Sequence, residues 1–243
     1  MALVLNPYNA LSHIHDVGAK DIKEDCGLLV GAPVVEAQMH NIFGALRLHK
    51  HFNVASDEIV VASEEQKVTF YGTESVAPGL RVEVIKRNDA GAVLPMMWSY
   101  DAQGKDWAPV QYIKNDGGAI AKHCAELLAK MNTPAALALQ KSIGKNLVEA
   151  GLNETIGMSL RFIDPFGMDH AKMCLNESTC EKDRVQVFTQ TAKSASEFSI
   201  DTHFFYDVLP DGDSGKPRQV TCGCTVTCCD QYGDRVHVGT WTC

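Results

Sequence analysis

Hydrophobic positions follow a helical period most clearly between residues 118 and 150, in two consecutive runs. Asn132, Thr133 and Pro134 separate the runs. Thr133 is suited to cap the second helix because its hydroxyl can accept a backbone N–H, and Pro134 suits the first helical position. Gly151 follows the second run, where a left-handed residue commonly ends a helix. The pattern predicts an αα-hairpin over residues 118–150.

Much of the remaining chain alternates apolar and polar residues or is rich in β-branched and aromatic residues, which predicts strands. A short helix is favoured at 34–46, ahead of the first strand. The predicted strands span residues 47–52, 58–62, 67–71, 80–86, 93–100, 110–113, 155–163, 185–191 and 198–208. Strands joined by turn-sized connections favour antiparallel pairing. The predicted fold is therefore a single α+β domain over residues 1–243, with a mainly antiparallel sheet packed with the central αα-hairpin.

Residues 219–243 predict a C-terminal β-hairpin that turns at Tyr232 and Gly233. In that register Cys228 faces His237, with Cys224 on the same face and threonines on the other. Three interpretations of the cysteine face stay open. The thiols pack as small hydrophobic groups in the core, or Cys224, Cys228 and His237 bind a metal, or a thiol has redox or catalytic chemistry.

A pair of histidines falls on the first predicted strand. Alternation places Arg47, His49 and His51 on one face of residues 47–52. Imidazoles at positions i and i+2 can both reach one metal ion or one anionic ligand. Glu58 follows after a turn and can return as a carboxylate partner. The sequence thus predicts His49 and His51 as metal ligands, with Arg47 and Glu58 as catalytic residues. The alternative is that the two histidines are only solvated or hydrogen-bonded.

The His-x-His pair with a following glutamate resembles the first metal motif of the cupin family. That motif places its glutamate four or five residues after the second histidine, whereas Glu58 comes seven residues after His51. The second cupin motif is a Pro-x-Gly followed closely by a histidine. Its nearest counterpart here is Ala77-Pro78-Gly79, which has no histidine nearby. Two of the four ligands of the family therefore lack a counterpart, and the chain is not assigned to it.

The other histidines are interpreted as structural or exposed. His13 and His15 repeat the i, i+2 spacing, but they precede the first predicted element, which is typical of exposed loop residues. His203 stands beside Phe204 and Phe205, which is typical of a half-buried histidine with a hydrogen-bond partner.

Composition narrows the function classes. The hydrophobic fraction of 45% and the charged fraction of 21% are typical of globular proteins, and a net charge of −8 without a basic cluster makes nucleic-acid binding unlikely. No apolar run reaches the roughly 18–20 residues that cross a bilayer, and the N-terminus has no signal-peptide pattern, so a cytoplasmic protein is expected. The nine cysteines are then expected mainly as free thiols.

Together these features predict a metal-dependent small-molecule enzyme of hydrolase or lyase type that uses the His-x-His face. The expected cofactor is a divalent metal, with zinc as one candidate, and the expected partner is a small-molecule or anionic ligand. The alternative is a non-catalytic metal- or ligand-binding or scaffold protein with a structural cysteine-rich tail.

Overall fold

The computed structural model describes residues 6–14, 16–17, 22–70, 73–75, 77–103, 105–168, 173–192, 200–207 and 218–224. Twelve strands occur in this part of the chain. They are β1 Phe43–Arg47, β2 Glu58–Glu65, β3 Thr69–Phe70, β4 Thr73–Glu74, β5 Gly79–Lys86, β6 Val93–Asp101, β7 Asp106–Lys114, β8 Ile156–Leu160, β9 Met173–Cys180, β10 Val185–Ala192, β11 Ile200–Asp207 and β12 Arg218–Cys224.

Four α-helices accompany the strands in the described residues. They are α1 Lys23–Cys26, α2 Ala32–Glu36, α3 Ala119–Met131 and α4 Pro134–Glu149. A π-helical turn at Gly27–Gly31 joins α1 to α2, and short 3-10 turns stand at Pro7–Ala10, Arg87–Asp89 and Asp164–Phe166.

Ten strands form one sheet, in the order β12-β11-β1-β8-β6-β7-β2-β5-β10-β9, while β3 and β4 pair separately. The sheet is mixed, because β2 runs parallel to β7, with Val61 opposite Tyr112 and Ala62 opposite Ile113. The other neighbouring strands of the order are antiparallel. The fold class predicted from the sequence, a mainly antiparallel sheet with a central αα-hairpin, is therefore wrong. Alternation shows which residues share a face, but it does not show the direction of a neighbouring strand that is distant in the chain.

The sheet curls so that its two ends approach each other. β9 and β12 stand at opposite ends of the strand order, yet Cα atoms of the two strands come within 8 Å. The regular twist of a sheet of this width favours such curling. Side chains of β1, β6, β7, β9, β10 and β11 line a single cavity as a result. Residues from both ends of the sheet thus meet in one interior.

The helices α3 and α4 lie against the sheet, and the sheet, not the helix pair, is the framework of the fold. α3 contacts β2, β6 and β8, whereas α4 contacts β7. The Thr133 hydroxyl accepts a hydrogen bond from the N–H of Ala136 and so caps α4, with Pro134 at its first position. A Cβ at Gly144 would collide with the ring of Tyr100, so only glycine permits this close approach of α4 to β6.

Two strands lie where the sequence favours other structure. β1 falls mostly within residues 34–46, for which a helix is expected, and β9 falls in a stretch without a predicted strand. β12 covers the beginning of the predicted 219–243 hairpin and pairs with β11. The rest of that hairpin, residues 225–243, lies outside the described residues, so the predicted hairpin stays a prediction.

Candidate metal centre

Three ionisable side chains converge inside the curled sheet. Potential ligand atoms of His49, His51 and Glu177 all lie within 4.8 Å of one another. The Nε2 atoms of the two histidines are 3.1 Å apart. His51 Nε2 is 2.7 Å from Oε1 of Glu177, and His49 Nε2 is 4.0 Å from Oε2. The side chains are 6% exposed for His49, 1% for His51 and 3% for Glu177, so bulk water is nearly excluded from the cluster.

The two histidines lie in the segment that follows β1, and backbone hydrogen bonds hold this segment in place. The N–H of Leu48 donates to the carbonyl of Thr155, and the N–H of Lys50 donates to the carbonyl of Ser12. His13 forms a bridge with Lys50, and its Nε2 lies 2.9 Å from the carbonyl oxygen of His51. His13, expected as an exposed loop residue, therefore contacts the backbone of the segment that carries both candidate ligands.

A backbone carbonyl sets the tautomer of His49. Its Nδ1 is 2.9 Å from the carbonyl oxygen of Arg47, which can only accept a hydrogen bond. Nδ1 therefore carries the hydrogen, and in the neutral ring Nε2 keeps a lone pair that points toward the cluster. Burial, and to a lesser extent the neighbouring His51, lower the pKa of His49 to about 4, although Glu177 opposes the shift. His49 is thus neutral near pH 7, as a metal ligand must be.

Glu177 reaches the cluster from β9, at the far end of the sheet. It is buried, and its Oε1 accepts a hydrogen bond of 3.0 Å from Nε2 of Gln186 on β10. A second carboxylate contact of this kind holds a ligand in one orientation. Glu177 thus brings a carboxylate into a nearly dry interior, where its charge requires polar or cationic partners.

The donor set fits a divalent transition metal. Ligands about 2.1 Å from a tetrahedral ion are separated by roughly 3.4 Å. The two Nε2 atoms are 3.1 Å apart, and one ligand atom from each of the three side chains lies within 4.8 Å of the others. Two neutral imidazoles and one carboxylate are a common set for zinc and for iron(II) in proteins. The described residues His49, His51 and Glu177 are therefore a candidate metal centre.

The cluster opens into a small cavity with polar and apolar walls. Its volume is about 30 Å³, which is room for little more than one water molecule or ion. Arg47, predicted as a catalytic residue, is buried and lines this cavity together with Gln111 and Gln186. Arg47 also lines an adjacent cavity of about 240 Å³. Arg47 thus lines both the cavity at the candidate centre and a larger cavity.

His203 lines the same cavity, from β11. It is buried, its Nδ1 lies 3.1 Å from the Thr202 hydroxyl oxygen, and burial lowers its pKa to about 4, although Glu177 opposes the shift. Its Nε2 is buried and has no hydrogen-bond partner among the described residues. His203 is thus more deeply buried than the sequence suggests, and only its Nδ1 has the expected hydrogen-bond partner.

Glu58, the predicted carboxylate partner, lies at the start of β2 and is engaged elsewhere. Arg184 donates to both of its carboxylate oxygens, and the N–H of Ala55 donates to Oε2. The hydrogen bonds from Arg184 hold the pKa of Glu58 below its usual range. Glu177 supplies the carboxylate of the cluster instead.

The predicted ligands of the tail are only partly within the described chain. Cys224 ends β12, where its backbone pairs with Ile200. Cys228 and His237 lie outside the described residues, so a metal site at Cys224, Cys228 and His237 stays a prediction. Among the described cysteines, Cys26, Cys124 and Cys180 are buried, and burial raises the pKa of Cys124 to about 12.

Glu177, Gln186 and His203 are the residues that the sequence interpretation missed. Met173–Cys180 alternates with Leu175, Glu177 and Thr179 on one face, and this alternation is the local signal that could have identified β9. No local sequence signal links Glu177 to His49 and His51, because only the curling of the sheet brings the two segments together.

Two broader findings accompany the site. No helix in the described part of the chain is both long and apolar enough to cross a membrane. Comparisons of the chain with protein-family models, with curated proteins and with solved structures found no match.

Proposed function

We propose that this protein is a metal-dependent enzyme that acts on a small anionic molecule, with a divalent metal held by His49, His51 and Glu177. The observation that carries the proposal is the convergence of these three ligands, within 4.8 Å of one another, beside a cavity. Three protein ligands leave a coordination position for water or substrate, which is typical of catalytic rather than structural zinc sites.

The reaction class that fits this arrangement is metal-assisted hydrolysis or lyase chemistry. The bound metal would act as a Lewis acid and lower the pKa of a bound water. Gln186 orients Glu177, and the carbonyl of Arg47 fixes the tautomer of His49. Arg47 lines both cavities, and its positive charge would favour an anionic substrate. Zinc is the first candidate for the metal, and Glu58 takes no part because Arg184 holds it.

The second candidate function is a non-catalytic protein with a structural metal. The near-complete burial of all three ligands and the cavity of only about 30 Å³ favour it, because structural sites are closed. The two functions differ in whether a coordination position exchanges its ligand with solvent.

Metal content tests the first step of the proposal. Purified protein is loaded with zinc, passed through a desalting column and subjected to elemental analysis. We expect about one equivalent in the wild type and less than about a tenth of that in His49→Gln/His51→Gln and in Glu177→Gln. His123→Gln is the matched control, because His123 bonds to the carbonyl of Arg161 away from the cluster. Equal zinc in all folded variants, judged by circular dichroism, would overturn the proposal.

Cobalt substitution then separates the enzyme from the structural alternative. Cobalt(II) has visible bands that depend on its coordination. Addition of azide to the Co²⁺-loaded wild type is expected to change these bands with saturation, because an open position accepts an anion. A Co²⁺ spectrum that azide leaves unchanged would favour the structural metal and count against the enzyme.

A further inference from the structure

The ring of His203 is fixed by aromatic side chains. Phe162 and Phe188 meet it edge-on, with ring centroids 5.6 Å and 6.1 Å away, and Phe205 lies nearly parallel at 6.4 Å. β11 pairs with β1 so that His203 stands opposite Leu46, another residue that lines the cavity. Packing on these rings leaves the imidazole little freedom to turn away.

One nitrogen of this ring lacks a partner. Nδ1 lies 3.1 Å from the Thr202 hydroxyl oxygen, whereas Nε2 is buried without a hydrogen bond to any described residue. A buried polar atom left unsatisfied is destabilising, so native proteins normally provide it with a partner, either protein or bound ligand.

Other orphaned polar atoms lie on the same side of the sheet. Ser159 and His203 share a face, because Leu46 pairs with both His203 and Gly157, and Gly157 is two residues from Ser159. Thr179 shares a face with Glu177, two residues away on β9. The hydroxyl oxygens of Ser159 and Thr179 are also buried without a partner among the described residues. These buried polar atoms have no hydrogen-bond partner among the described side chains. A polar ligand on this face of the sheet would supply one.

We infer that His203 is a positioning residue whose Nε2 hydrogen-bonds to an oxygen ligand at the open position of the metal. This inference rests on the proposed function. The ligand class is water, hydroxide or a single oxygen of a small anion, because the cavity admits little more than one such group. His203 is not one of the metal ligands, since it lies outside the group whose ligand atoms are within 4.8 Å of one another.

The chemistry of the ring supports this role. Burial keeps His203 neutral near pH 7, so its Nε2 is a single donor or a single acceptor. The Thr202 hydroxyl can either donate to Nδ1 or accept from it, which lets Nε2 serve a hydroxide as a donor or a water as an acceptor. The same side chain can therefore follow a change in protonation of the metal-bound oxygen without taking a charge.

The test uses the Co²⁺-loaded protein and azide as the probe. We compare wild type, His203→Leu, His203→Gln and the control His123→Gln. His203→Leu removes the hydrogen bond, and we expect Co²⁺ binding to persist with azide affinity about tenfold weaker. His203→Gln retains a polar group and is expected to restore most of the affinity, and His123→Gln is expected to match wild type. Circular dichroism checks the fold of every variant.

The outcomes separate the two claims. A wild type that binds no Co²⁺, or binds it without responding to azide, overturns the proposed function and this inference with it. Normal Co²⁺ binding in His203→Leu with unchanged azide affinity overturns the inference alone. Loss of Co²⁺ from both folded His203 variants also overturns it, because His203 would then be a ligand. If His203→Leu does not fold, His203→Met takes its place: a tenfold loss of azide affinity in that variant supports the inference, and unchanged affinity overturns it.

Discussion

At the scale of single residues, the interior of this protein holds a buried carboxylate and three buried histidines beside one cavity. Glu177 is satisfied by His51 and Gln186, while His49 and His203 are kept neutral by burial. Such groups destabilise a fold unless they are paired, because a charge loses its hydration on burial. The convergence of two imidazoles and a carboxylate in this interior is the physical reason to propose a metal there.

The hydrogen bond from Gln186 to Glu177 gives the residue-scale prediction. In Gln186→Met the carboxylate loses this contact and is less well oriented, so zinc affinity is expected to fall about 10- to 100-fold. Gln190→Met is the matched control on the same strand, since Gln190 bonds to the carbonyl of Pro78. Competition with a zinc-binding dye measures both affinities. An equal loss in the two variants, or none in either, would contradict the orienting role of Gln186.

At this scale the sequence predicted the histidines but not their carboxylate. Alternation placed His49 and His51 together, and the structure brings their Nε2 atoms within 3.1 Å. Glu58 was chosen because it is near in sequence, yet the charge of Arg184 holds it elsewhere. The carboxylate of the cluster comes from Glu177, on a strand that only tertiary packing brings near.

At the scale of elements, the helices illustrate how local chemistry defines a boundary. Thr133 accepts from the N–H of Ala136 at 3.4 Å, and its hydroxyl also donates to the carbonyl of Lys130. The left-handed Gly151, with φ of 69°, follows the end of α4. These features were readable in the sequence because a cap acts over a few residues and does not depend on the rest of the fold.

The cap of α4 gives the element-scale prediction. Thr133→Ala leaves the first N–H groups of the helix without this acceptor and is expected to lower the free energy of unfolding by about 1 kcal/mol. Thr133→Ser keeps the hydroxyl, so its free energy of unfolding is expected to fall much less. Urea unfolding curves with equal slopes provide the comparison. A Thr133→Ser variant as unstable as Thr133→Ala would show that the methyl group, not the cap, matters.

Strand β9 shows where element prediction failed. Its residues Met173–Cys180 include several small and polar side chains, only one β-branched residue, Thr179, and no aromatic residue, so the segment has a weak strand signal. β9 forms because β10 provides its pairing partner and the curled sheet buries Leu175, Glu177 and Thr179. Tertiary context thus decided a segment with weak local preference.

At the scale of the whole molecule, the curled mixed sheet is what creates the candidate centre. The histidines follow β1, near one end of the strand order, and Glu177 lies on β9 at the other end. The parallel pairing of β2 with β7 joins two antiparallel parts of the sheet. The alternation of apolar and polar residues along a strand depends on neither the parallel pairing nor the curl of the sheet. The sequence pattern therefore could not predict them.

Burial inside this sheet makes the metal-free protein sensitive to acid. The pKa of His203 is lowered to about 4, against about 6.5 in an unfolded chain, and Glu177 and His49 are its charged or titratable neighbours. As the pH falls below 6.5 the unfolded state binds a proton first. The stability that this histidine contributes is therefore present above pH 6.5 and is lost as the pH falls toward 4.

Protonation of His203 in the unfolded state is expected to lower the free energy of unfolding by at most about 1.4 kcal/mol per pH unit. Urea unfolding is measured in the presence of a chelator at pH 7.5, 6.5, 5.5 and about 5. The free energy of unfolding is expected to fall more steeply with decreasing pH for wild type than for His203→Gln. The variant lacks this imidazole but keeps every other titratable group. Parallel curves for the two proteins would contradict a buried neutral His203.

The most direct test of the central claim is the position of a bound metal. Crystals of the protein soaked in zinc are measured on both sides of the zinc absorption edge, and an anomalous difference map is computed. The account predicts a peak about 2.0–2.2 Å from His49 Nε2, His51 Nε2 and a carboxylate oxygen of Glu177. A map with zinc bound only elsewhere in the molecule, and none among these three side chains, would contradict it.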